Sequence, residues 1–166
     1  MGVSDQDVSE LALYAGHILL ESGAELSRVE DTIKRIHDAY GVDSEEAFVL
    51  SNGIFLTSGS ADRGYYAKVE HIPIASAHLD RVAAVNQLSR KISEGAYTVP
   101  EAMALLKEIH KSPEKPKAHQ ILASGTGSGA FCVLFGGGVL DMVSAFIVGI
   151  LLYAAILYPL DHPMSK

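Results

Sequence analysis

The C-terminal stretch constrains this chain more than any other feature. From Gln120 to Leu140 there are 21 residues without a charged side chain, and from Met142 to Leu160 there are 19 more, with Asp141 between them. A helix needs about 20 largely apolar residues to cross the hydrocarbon core of a bilayer. Two such runs in series, parted by Gly136-Gly137-Gly138 and one carboxylate, predict a transmembrane helical hairpin with spans at about 120–136 and 140–158, in preference to a buried hairpin of a soluble core. Lys107, Lys111, Lys115 and Lys117 precede the first run, and the turn at 136–141 holds no Lys or Arg. The positive-inside rule then places everything before the runs in the cytoplasm and the glycine turn outside. Tyr153 and Tyr158 stand where an interfacial aromatic belt would lie.

The rest of the chain differs in kind. Residues 1–118 hold 18 of the 20 acidic and 12 of the 13 basic side chains and read as a soluble, acidic domain. Val8, Leu11, Ala12, Ala15, Ile18 and Leu19 recur at helical spacing, with Gly23 as the terminating cap. A second helix over about 25–40 buries Val29, Ile33, Ile36 and Tyr40 and closes at Gly41. Over 47–72 the period changes. The runs "AFVL", "IFLT" and "YYAKVEHI", separated by Asn52-Gly53 and "SGSADRG", predict a short β-sheet. Tyr65, Ala67 and Val69 alternate with Tyr66, Lys68 and Glu70, as in a half-buried strand. A helix over about 77–94 follows. Another opens at Thr98, which is spaced from Glu101 for a capping box, with Pro100 in the first turn. The expected fold is therefore an α+β cytoplasmic domain (two helices, a short β-sheet, two helices) over 1–112. A charged, proline-bearing linker covers 113–119, and the transmembrane hairpin covers 120–160.

Composition removes several functions. A net charge of −7 excludes whole-surface attraction to nucleic acid. One cysteine, Cys132, excludes an internal disulfide and a cysteine-built zinc site. Among Phe131, Val133 and Leu134 it reads as a small hydrophobe. "MGVSDQDVSE" has neither the basic nor the apolar region of a signal peptide, and Gln6 stands where a myristoylation signal wants Ser or Thr. The seven histidines form no HExxH or similar set, and His17, on a mostly apolar helix, reads as a core or boundary residue rather than a ligand. With no Ser/His/Asp arrangement or paired carboxylates of specific spacing, no catalytic residue, metal or cofactor is assigned.

Three constellations remain. In "SGAELSRVEDTIKRI", 22–36, Glu25 and Arg28 share a helix face, and Glu30/Lys34 and Asp31/Arg35 have favourable four-residue spacing. The plain reading is a salt-bridged surface helix. In "ASGTGSGAF", 123–131, the glycines lack both the Lys-Ser/Thr ending and the preceding strand of a phosphate loop. Gly125-x-x-x-Gly129 reads better as a small-residue packing face, with Ser124, Thr126 and Ser128 free to hydrogen-bond between helices. Asp141 is either a functional carboxylate on a membrane path or the cap of the second span.

Four blocks occur in a definite order: "LALYAGHILLESGAELSRVEDTIKRI", "FVLSNGIFL", "HLDRVAAVNQLSRKISEG" and "FCVLFGGGVLDMVSAFIVG". Together, over about residues 10–155, they resemble the threonine/serine exporter family. Gly23, Glu25, Arg28, Glu30 and Thr32 match its opening signature, and Gly136, Gly137 and Asp141 match its membrane signature. The resemblance implies a protein of the bacterial plasma membrane with a cytoplasmic α/β domain and a membrane bundle. It implies export of threonine and serine or, in split members that work with a small membrane partner, of dicarboxylates such as succinate.

Family members continue through further membrane helices, and two helices cannot enclose a midplane transport site. The chain is thus expected to be truncated relative to the family. A homo-oligomer or a partner membrane subunit would supply the missing helices within the lipid bilayer. Ser124, Thr126 and Ser128 would line the path, Asp141 would handle protons or cations, and the cytoplasmic domain would gate the path or bind an amino-acid zwitterion at the Glu25/Arg28 surface, with Glu30 and Thr32 as further substrate or gating candidates. A membrane-tethered hydrolase-like domain and a regulatory module without transport activity are the readings from other classes.

Overall fold

The computed structural model describes residues 4–42, 46–60, 64–73, 77–113 and 115–157. The chain divides into two compact units, Met1–Ser112 and Pro113–Lys166.

The first unit is built around helix α1 (Asp5–Glu21). Ser4 and Asp7 cap it reciprocally: the Asp7 N–H donates to the Ser4 hydroxyl at 3.1 Å, and the Ser4 N–H donates to the Asp7 carboxylate at 3.1 Å. Leu11, Ala12, Ala15, Ile18 and Leu19 are fully buried, so α1 is the axis of the core rather than a surface helix. Helix α2 (Leu26–Tyr40) packs on it through Val29, Ile33 and Ile36. Gly16 is the point of closest approach. A Cβ there would lie 2.9 Å from Ile33 Cδ1 and 3.0 Å from Ile54 Cδ1, so any larger residue must push the ends of both isoleucines aside. The reversal between α1 and α2 is a Schellman turn, with Gly23 at φ +75°, its N–H on the Leu20 carbonyl and that of Ala24 on Leu19.

Strands β1 (Glu46–Leu50), β2 (Gly53–Ser60) and β3 (Gly64–His71) form an antiparallel meander in the order β1-β2-β3. Ile54, Leu56 and Ser58 of β2 and Val49 of β1 face the helices. Phe48, Phe55 and Val69 stand opposite one another across the three strands on the outer face. In β3 the half-buried residues are Tyr66 and Glu70, whereas Tyr65, Ala67 and Val69 are exposed. An alternating pattern separates two faces of a strand; which face is covered depends on what packs there.

Helix α3 (Leu79–Ser93) buries Val82, Val85, Leu88 and Ile92, and helix α4 (Val99–His110) buries Ala102 and Leu106. Glu101 caps α4 as the spacing predicts, accepting the Thr98 N–H at 2.8 Å and hydroxyl at 2.7 Å.

The second unit consists of α5 (Lys117–Leu134) and α6 (Val139–Leu157). Here the expected fold needs correction, because the transmembrane helical hairpin is not what the chain forms. Among the described residues, only α6 is long and apolar enough to cross a membrane. Helix α5 starts at Lys117, earlier than expected. It takes in His119 and Gln120 and carries Ser124, Thr126, Ser128 and three glycines. The sequence reading counted missing charge as hydrophobicity, but a span must be predominantly apolar, and these small polar residues are not. Tyr158 and the end of the second run lie outside the described residues. The turn between the helices is a second Schellman motif: Gly136, at φ +88°, donates to Val133 O, and Gly137 donates to Cys132 O at 2.9 Å.

Candidate functional site

Tyr14, His17 and Glu21 follow one another at three- and four-residue spacing and so lie on one stripe of α1. His110, in the last turn of α4, and Glu70, on β3, converge on that stripe. The Tyr14 hydroxyl is 2.8 Å from His110 Nδ1, and His110 Nε2 donates to Glu21 Oε2 at 2.8 Å. His17 Nδ1 donates to Glu70 Oε1 at 2.9 Å. The two imidazole centroids are 5.7 Å apart, and the Tyr14 ring meets His110 edge-on at 5.6 Å. The side chains of His17, Glu70, His110 and Glu21 are 21–29% exposed, partly sheltered but reachable by solutes. Burial, and then the Glu21 charge, push the Tyr14 phenol above its ordinary pKa, so it stays neutral and can donate or accept a proton. Sequence reasoning assigned none of Tyr14, Glu21, Glu70 and His110. The His17/Glu21 spacing was a usable signal, but its partners come from distant elements.

A second polar group is sealed inside the same unit. Ser9 and His37 are both 0% exposed. Ser9 Oγ lies 3.1 Å from His37 Nε2 and 2.6 Å from Ser58 Oγ, while His37 Nδ1 donates to the Ile33 carbonyl at 3.0 Å. Burial holds the His37 pKa below its ordinary value, against the opposing pull of the Ile33 carbonyl, Asp38 and Asp5. A serine in reach of an imidazole is the start of a nucleophile–base pair. Here no substrate atom can reach it, and the far nitrogen of the ring is held by a helix carbonyl, so the arrangement serves the core. A cleft of about 460 Å³ lies nearby, lined in part by Ser4, Asp5, Ser58 and Tyr66.

The four signature residues of α2 are not brought to one surface. Glu25, the N-cap residue, and Arg28 are exposed, with no ion pair between them among the described residues. Glu30 accepts the Val49 N–H at 3.2 Å and ties α2 to β1. Thr32 is buried, with its hydroxyl on the Arg28 carbonyl at 2.9 Å. Arg35 crosses to Ser89 of α3 at 3.2 Å.

In the second unit, α5 and α6 run antiparallel at close range. A Cβ on Gly125 would lie 2.7 Å from Ile150 Cγ1 and 3.0 Å from Phe146 O, and one on Gly129 would lie 3.3 Å from Met142 O. Gly149 receives Ser128 and the Ser124 carbonyl, which would be 3.0 Å from an added Cβ. Ser124 Oγ donates to Gly149 O at 3.1 Å, and Tyr153 donates to Gln120 Oε1 at 2.8 Å. Thr126 bonds back to Leu122 O at 2.8 Å within its own helix. Asp141 lies in the first turn of α6, where its carboxylate accepts the Gly138 N–H at 3.0 Å, a capping contact.

Residues 10–162 match the family model for threonine/serine exporters. The chain belongs to the threonine/serine exporter family. A threonine/serine exporter of Corynebacterium glutamicum is 29% identical over 152 residues, which is 89% of this chain and 31% of that protein. The chain therefore spans about a third of the length of the curated relative it matches. No solved structure matches.

In this exporter-family chain, the first sequence block covers most of α1 and most of α2, the second joins β1 to β2, the third lies on α3, and the fourth spans the α5–α6 turn. The matched region also contains Tyr14, His17, Glu21, Glu70 and His110.

Proposed function

We propose that this chain is a membrane-embedded part of an exporter of small amino acids, with threonine and serine as its substrates. The observation that carries the reading is α6. Its Leu140, Ile147, Val148, Leu151, Leu152 and Ile156 are all at least half exposed, a continuous apolar surface that water does not tolerate and lipid or other membrane helices accept. Family membership supports a transport-related role, and the Corynebacterium relative's name supports the substrate class.

In this reading α6 crosses the plasma membrane, and the four lysines ahead of the second unit's apolar run keep the first unit in the cytoplasm. A second copy or a separate membrane subunit supplies the helices that enclose the path. Ser124 and Ser128 are turned to α6 of the same chain, which leaves the exposed Thr126 to face those helices. Glu25 and Arg28 offer the only exposed charge pair of the family signature and are the candidate contact for a zwitterion.

The test has two parts. The chain must stay with membranes after a carbonate wash. Deleting its gene must then raise retained threonine and serine in preloaded cells, and re-expression must restore efflux. Unchanged efflux of both amino acids on deletion overturns the reading, and a loss confined to succinate replaces its substrate class with dicarboxylates.

A further inference from the structure

We propose that His17, Glu21 and His110 form a binding site for a divalent transition metal of the zinc class, held in shape by Glu70 and Tyr14. One donor atom from each of the three residues lies within 4.8 Å of the other two. Tetrahedral zinc, with bonds of about 2.0–2.2 Å, places neighbouring donors about 3.4 Å apart, so the side chains need move only by roughly an ångström. All three are partly exposed, which makes such a movement cheap. Two imidazoles and a carboxylate, with a fourth position open to water, suit zinc and its neighbours. Calcium and magnesium prefer oxygen donors throughout.

The decisive feature is what holds the other side of each ring. Metal-binding histidines almost always donate their second ring N–H to a fixed acceptor, which sets the tautomer and the ring orientation. His17 Nδ1 is held by Glu70, which leaves the Nε2 lone pair free. His110 Nδ1 is held by Tyr14, with Nε2 towards Glu21. Without metal, His110 donates from Nε2 to Glu21, and the Tyr14 hydroxyl donates to Nδ1. With metal, the imidazole proton sits on Nδ1 and the same hydroxyl accepts it. Tyr14 supports both states because a phenol does either. Any further proton on the rings leaves to solvent, so affinity falls on acidification.

The bound ion would tie α1 to α4 and, through His17 and Glu70, to β3. The unfolded chain scatters these donors, so the ion also stabilises the fold. The inference does not depend on the export reading, since it concerns the first unit alone.

The experiment titrates the whole chain in detergent, stripped of metal, with Zn²⁺ alone against a chromogenic chelator. One ion per chain is expected. His17→Ala and His110→Ala should each weaken binding at least ~100-fold, and Glu70→Gln and Tyr14→Phe by about 10- to 100-fold, the usual effect of removing an outer partner. Zn²⁺ should raise the melting temperature of the wild-type chain and not that of His110→Ala. If a histidine variant does not fold by circular dichroism, Glu21→Gln and Tyr14→Phe decide. Absence of one-to-one binding, or wild-type affinity in the folded variants, overturns the site.

Discussion

His37 Nε2 lies 3.1 Å from Ser9 Oγ in a part of the molecule that water does not reach. With Ser58 against Ser9 and the Ile33 carbonyl on the far side of the ring, this one pair joins α1, α2 and β2. The single Ser9 hydroxyl hydrogen has two acceptors in reach, the Asp5 carbonyl at 2.8 Å and His37 Nε2 at 3.1 Å, while the far ring nitrogen is held by Ile33.

His37→Ala should therefore cost about 2–4 kcal/mol, from a cavity and stranded hydroxyls together. The urea midpoint of the chain in detergent measures it.

The same ring makes stability depend on pH. Burial lowers the folded-state pKa of His37, whereas the unfolded imidazole takes up a proton near pH 6.5. The unfolded state thus binds more protons as the pH drops below about 6.5, and stability falls there. Above that value the contribution is flat. Comparing wild type with His37→Gln between pH 7 and pH 5 checks the sign: the wild type should lose more stability on acidification, and equal slopes contradict the assignment.

Gly125 and Gly127 are two residues apart and should respond oppositely to substitution. A side chain at Gly125 meets Ile150 and the Phe146 carbonyl, so Gly125→Leu should destabilise the α5–α6 pair by about 1–3 kcal/mol. Nothing lies within 4 Å of a Cβ at Gly127, so Gly127→Ala should be neutral or stabilising by up to about 1 kcal/mol through helix propensity. Thermal melting in detergent separates the two.

Asp141 accepts the Gly138 N–H at the start of α6, which is the work of a cap. Asp141→Asn should keep most of the stability and the efflux, and Asp141→Ala should lower stability by about 1 kcal/mol. Efflux abolished by Asp141→Asn in a normally folded protein would instead place the carboxylate's charge in the transport step.

Within α2 the signature residues divide by exposure. Thr32→Val keeps the buried shape and removes one intrahelical bond, so efflux should stay near wild type. Arg28→Ala and Glu25→Gln change only exposed groups and should reduce efflux without lowering the melting temperature. Wild-type efflux in both removes that surface from the mechanism.

Much of the local structure was legible because its causes are local. Gly23, Gly41, Gly95 and Gly136 all adopt positive φ where helices end, and Thr98 with Glu101 caps α4, each through contacts within five residues. The α5 reading failed on a local matter too. Absence of charge was legible in 120–140, but the small polar content of α5 separates it from the apolar α6.

By itself, the sequence determined where helices stop, that residues 47–72 pair as short strands, and that α6 is apolar enough for a membrane. Those properties follow from hydrogen bonds and side-chain periodicity inside one segment. Only the tertiary structure decided which face of β3 is covered, that Thr32 points into the core while Arg28 does not, and that His110 of α4 and Glu70 of β3 meet the Tyr14–His17–Glu21 stripe of α1. These depend on how separate elements pack, and the spacing of residues along a chain does not encode which distant side chains share a surface.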